Sequence, residues 1–97
     1  MQAIATPAPA ATSLQHALPE ALALADAAAS VREAAQALRT RFAPRRMVVV
    51  DAADMRDETP AAVGRKVQLY FAVSDGHCWQ VSADGSRAAG FYITGKE

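Results

Sequence analysis

Cysteine is almost absent from this chain: Cys78 is the only one in 97 residues. One thiol cannot form an internal disulfide, and such sparing use points to a reducing compartment. Histidine is nearly as scarce, with only His16 and His77. No C-x-x-C, H-x-x-x-H or HExxH spacing occurs, so zinc has no ligand set. The five glycines form neither G-x-G-x-x-G nor G-x-x-x-x-G-K. Gly64-Arg65-Lys66 is therefore no phosphate loop, and nucleotide sites of those kinds are excluded. Charge of one sign is lacking too. Ten basic residues balance ten acidic ones, whereas a dedicated nucleic-acid binder carries a basic excess. No apolar run approaches the length of a membrane span.

The first residues, "MQAIATPAPAATS", have no Lys or Arg, and Pro7 and Pro9 interrupt any apolar core of a signal peptide. The expectation is a cytoplasmic protein with no membrane partner. Residues 1–17 are read as a disordered Ala/Pro-rich tail, because such a segment buries too little to offset its ordering entropy. Residues 18–97 are read as one domain, which the length allows.

What is abundant is alanine, at 24 residues. It swells the 52% apolar content without supplying much core volume. "PEALALADAAASVREAAQALRTRF" predicts one long helix. Pro19 suits a first turn, Arg39 and Arg41 favour the C-terminal end, and Pro44 stops it. Leu24, Ala28, Val31, Ala35, Leu38 and Phe42 recur at steps of four and three, drawing one apolar stripe. The small middle reflects helix propensity, or else forms a seam for a homodimer.

The remainder reads as β structure. Met47–Val50 is a buried β-branched run. "ADMRDETPAAVG" is a charged connection. Alternation then marks strands at Lys66–Val73, Cys78–Ser82 and Phe91–Thr94. A three-residue loop, Ser74-Asp75-Gly76, places Val73 opposite His77, Phe71 opposite Trp79 and Leu69 opposite Val81. Trp79 is then a core anchor, and truncating it costs ~3–5 kcal/mol. A loop at Ala83-Asp84-Gly85 puts Phe91 and Ile93 on the face of Trp79. The fold class expected is α+β: a disordered tail, one long N-terminal helix, and a three- to four-stranded, mostly antiparallel β-meander.

His77-Cys78-Trp79 invites a nucleophile reading. Adjacent strand residues point to opposite faces, so His77 is poorly placed to activate Cys78, and no third orienting group exists. Asp51, Asp54, Asp57 and Glu58 form an acidic loop that lacks calcium-loop spacing and is read as solvated. No cofactor, metal or catalytic residue is expected, and the chain is read as no enzyme. The candidate interaction surface comprises Arg39, Arg41, Arg45 and Arg46 with Tyr70 and Tyr92. The arginines could bind an acidic partner or, against the overall charge balance, nucleic acid. The tyrosines are expected on the outer sheet face, beside Ala72, Cys78 and Gln80, as a surface for a protein partner. The functional expectation is a small non-catalytic protein-interaction module (accessory, adaptor or inhibitor) that self-associates. The alternative is a nucleic-acid-associated protein using Arg39 to Arg46.

Overall fold

The computed structural model describes residues 13–74 and 78–95. Expectations for residues 1–12 and for His77 lie outside them. Among the described residues the chain is α+β, with two helices on one face of a five-stranded mixed sheet.

The single long helix is replaced by α1 (Leu14–Ala27) and α2 (Val31–Phe42). The break is encoded locally. The Ser30 side chain accepts a hydrogen bond from Glu33 N at 3.1 Å, so "SVRE" acts as a helix start with Glu at the third position. Ser13 caps α1 in the same way, accepting from Gln15 N at 3.1 Å. The helix therefore begins inside the segment expected to be tail, and Pro19 sits within it rather than in its first turn. With only Ala28–Ser30 between them, the helices fold back on each other as a hairpin. Leu14, Ala17, Ala21 and Ala25 of α1 and Ala34, Ala35, Leu38 and Phe42 of α2 are buried in one core. Of the alanines in the small middle that suggested a dimer seam, Ala34 and Ala35 are buried inside the chain, Ala28 and Ala37 are partly buried, and Ala27 and Ala29 are exposed. Most of the expected stripe still faces the core, but it passes from one helix to the other at Ala28 and Val31.

The strands are β1 (Arg46–Val49), β2 (Ala62–Val63), β3 (Val67–Ser74), β4 (Trp79–Ser82) and β5 (Gly90–Gly95). Their order is β1-β5-β3-β2, with β4 also on β3. β5 holds one edge of β3 and runs parallel to β1, while β2 and β4 share the other edge. The expected meander fails here, because β5 pairs with β3 and not with β4. The short β2 was hidden in the charged connection. Gly90 stands where β1 and β5 approach closely: a Cβ there would collide with the Arg46 carbonyl.

The inner face carries Val67, Leu69, Phe71, Phe91, Ile93 and Met47, all buried against the helices. Phe71 and Phe91 stack with ring centroids 5.7 Å apart. A 3-10 turn at Gly85–Arg87 lies over the Phe71 ring, and a Cβ on Gly85 would strike it. Gly85 N donates to Gln15 Oε1 at 3.1 Å, and Ser13 Oγ donates to Gly85 O at 3.3 Å. This turn replaces the hairpin loop expected at Ala83–Gly85.

The β3–β4 register overturns the expected one. Ser74 faces Trp79, Val73 faces Gln80 and Ala72 faces Val81. The connection is one residue too long and reverses the parity of the strand. Trp79 and Val81 therefore share the outer face with Ala72 and Tyr70, opposite Phe71, Phe91 and Ile93. Trp79 is 38% exposed and is not a core anchor.

A carboxylate ties helix to sheet. Asp26 on α1 accepts Arg65 N at 2.8 Å and Lys66 N at 2.7 Å from the turn between β2 and β3. These two N–H donors hold the Asp26 carboxyl below its ordinary value of 3.8.

Two outcomes follow in denaturant unfolding. Phe91→Ala should lose about 3–5 kcal/mol, whereas Trp79→Ala should lose about 1 kcal/mol; the reverse order would restore Trp79 to the core. For Asp26, the folded carboxyl is the stronger acid, so its stabilisation is present above the unfolded value and lost as pH falls through the folded one. Wild type should exceed Asp26→Asn by a constant margin from neutral pH to about 5. The margin should close as the pH falls below 3.8.

Candidate interaction surface on the outer sheet face

The outer face is built by alternation. Arg46 and Val48 of β1, Tyr92 and Thr94 of β5, Gln68, Tyr70 and Ala72 of β3, and Trp79 and Val81 of β4 all point away from the helices. Helices cover only the other side, so this face is left to the segment between β1 and β2.

That segment crosses one half of it. Asp51 Oδ1 accepts Ala53 N at 2.9 Å and starts a 3-10 turn at Ala52–Met55, which Glu58 N extends by donating to Met55 O at 3.0 Å. Met55 is buried by this path. Tyr70 lies on the predicted face but is only 3% exposed, beneath the loop, with its hydroxyl donating to Gln68 Oε1 at 3.0 Å. It is not available to a partner. Thr94 is fully buried here, and its Oγ1 is the one buried side-chain polar atom among the described residues with no hydrogen-bond partner.

Among the described residues, no element crosses the other half. Gly90 and Ala72 contribute almost no side chain, leaving a low floor between β1 and β4. Arg46 and Trp79 reach across it, with the guanidinium 5.5 Å from the ring centroid. A hollow of about 180 Å³ lies around them, lined also by Val48 and Tyr92. Trp79 also borders a wider groove of about 550 Å³. The wall of that groove is the loop, through Asp54, Met55 and Glu58, and its floor is Trp79, Val81 and Tyr92. Asp54 and Glu58 are both exposed.

The four arginines do not form one patch. Arg39 Nε donates to Met47 O at 3.0 Å, on the edge of β1 away from β5. Arg41 makes a two-pronged contact with Glu20, at 2.6 and 3.2 Å, and lies 5.0 Å over the Phe42 ring. Both side chains of that pair are about half exposed, so it adds little stability, roughly 0–1 kcal/mol. Arg45 is half-buried after the Ala43–Pro44 turn, whose peptide bond is cis. Arg46 belongs to the outer face. Of the six predicted surface residues, Arg46, Tyr70 and Tyr92 share the outer face, and only Arg46 and Tyr92 line its open half.

Cys78 is exposed in the connection to β4, not on the outer sheet face. His16 is exposed on α1, outside any acidic or thiol cluster: the described residues contain no group of three or more His, Cys, Asp or Glu that could hold a metal. No helix among them is long and apolar enough to cross a membrane. A polar hollow of about 370 Å³ lies at the far end of β3 and β4, between Ser74, Gln80, Ser82, Asp84 and Arg87. There Ser86 donates to Asp84 Oδ1 at 2.9 Å, which lowers the carboxyl below its ordinary value.

Sequence reasoning missed Trp79, Val81, Val48 and Met55 as members of a surface. The signal for Trp79 was loop parity, since any even-numbered connection after Ser74 sends it outward. No family model, no curated protein and no solved structure matches the chain.

Thr94 offers a direct check on the covered half. Removing an unpaired buried hydroxyl while keeping its shape should be neutral or stabilising by about 1 kcal/mol. Thr94→Val is therefore expected to unfold at equal or higher denaturant concentration. A loss above that size would show that the hydroxyl is satisfied in solution.

Proposed function

We propose that the chain is a small non-catalytic protein-interaction module, of the accessory, adaptor or inhibitor kind, that meets its partner through the open half of the outer sheet face. The observation that carries this reading is Trp79. A large aromatic residue stands 38% exposed on a floor of Ala72, Val81 and Tyr92, with the Arg46 guanidinium over its ring. Aromatic side chains set in a partly apolar surface with a charged rim are the anchors of protein interfaces. Arg46 and the Asp54/Glu58 pair supply that rim on opposite sides. Self-association through a helix seam is not carried forward, because Ala21, Ala25, Ala34 and Ala35 are buried within the chain.

The nucleic-acid reading keeps Trp79 and Tyr92 as surfaces for stacking. It has lost the arginine cluster as a single patch, since Arg39 and Arg41 are held by Met47 and Glu20.

Affinity purification from the native host at low salt, with and without nuclease, separates the two. A protein partner should survive nuclease, and Trp79→Ser should reduce its capture about tenfold or more. Capture unchanged by Trp79→Ser, or no retained protein, would overturn the reading. Nucleic acid lost with nuclease would support the alternative.

A further inference from the structure

We infer that the groove between the loop and Trp79 receives an arginine or lysine side chain from a basic segment of the partner protein. This deepens the interaction-module reading and rests on it. The groove is bounded by Val50, Met55, Val81 and Tyr92, by the Trp79 ring, by the Gln80 amide, and by two carboxylates, Asp54 and Glu58. Ring faces attract cations, and carboxylates lining the same groove supply the counter-charge. The fold already contains one instance of this chemistry: Arg46 lies over the Trp79 ring from the direction of β1. The groove lies between β4 and the loop, and the charged side chains that line it are both acidic.

The chemistry selects a cationic occupant, because an acidic segment would meet Asp54 and Glu58 directly. It also favours a different protein over a second copy. Four cations of this chain are committed: Arg39 to Met47 O, Arg41 to Glu20, Arg46 to Trp79 and Lys66 to Ala28 O. The volume of about 550 Å³ suits a long side chain with part of its backbone. A flexible basic segment meets these requirements at low cost, since its aliphatic stems cover apolar surface while the charged heads reach the carboxylates.

The chain's one tryptophan makes the test direct, because all tryptophan fluorescence reports on Trp79. The full chain is titrated with hexa-arginine at 50 mM salt, and with hexaglutamate as the control of opposite charge. The wild type should show a saturable change in Trp79 emission with hexa-arginine and none with hexaglutamate. Asp54→Asn/Glu58→Gln should raise the midpoint about tenfold. Glu33→Gln/Asp57→Asn removes the same charge at exposed positions outside the groove and should move it less than about twofold.

No emission change with hexa-arginine overturns the proposal. Equal shifts in the two double variants also overturn it, since binding would then be diffuse attraction. An emission change that follows protein concentration without peptide, with a dimer mass by light scattering, assigns the groove to a second copy and overturns it as well. Failure here stays distinct from failure of the interaction-module reading. If hexa-arginine fails while Trp79→Ser still abolishes partner capture, only the cationic chemistry falls.

Discussion

Two helices fit side by side over one face of so small a sheet because their contact is made of alanine. Ala21 and Ala25 on α1 meet the core together with Ala34 and Ala35 on α2, each with no more than 1% of its surface exposed. Larger residues there would push the helices apart and uncover Leu69, Phe91 and Ile93 beneath them. The hairpin also needs its turn, which the Ser30 cap and the short Ala28–Ser30 connection provide. Asp26, near the end of α1, then reaches the Arg65–Lys66 backbone and fixes the helix pair to the β2–β3 turn. With the helices all on one side, the other side of the sheet can be covered only by a loop. The open half around Trp79 is a consequence of that economy.

Much of the architecture was legible because it is written in local patterns. The alternation at Val67–Val73 and Phe91–Thr94 marked two strands and their inner faces, and Leu69, Phe71, Phe91 and Ile93 are where it put them. The helix break was legible in principle from "SVRE". Alanine on both sides masked it, since that residue favours helix equally before, across and after the break. The parallel pairing of β1 with β5 had no local signal, because its partners lie more than forty residues apart. Strand order is decided by packing of the whole chain. The close approach at Gly90 is one local trace of it.

The site was less legible than the fold, for two separate reasons. Arginines dense in sequence are not dense in space: Arg39 and Arg41 lie about 200° apart around a helix, and Arg45 and Arg46 belong to a turn and a strand. Each finds a different neighbour. Trp79 was misplaced by a sound rule applied to the wrong loop. Large aromatics belong inside, and a three-residue connection would have put this one there. Four residues separate Ser74 from Trp79, and the single added residue reverses the parity. The inner face has no vacancy in any case, because the Phe71–Phe91 stack and the Gly85 turn already occupy the space above β3.

An exposed tryptophan on an open sheet invites aggregation unless something restrains it. Here the restraint comes from neighbours of opposite charge. Arg46 lies over the Trp79 ring and keeps a charged group at the centre of the apolar floor. The β1 edge is blunted as well: Met47 O, which points away from β5, is taken by Arg39. Asp54 and Glu58 stand along the remaining side. A surface guarded in this way rejects a flat apolar partner, because docking would strip water from three charges without returning a counter-charge. It admits a partner that brings its own cation to the acidic side. On the proposed reading, the charges that flank Trp79 therefore narrow the chemistry of the partner.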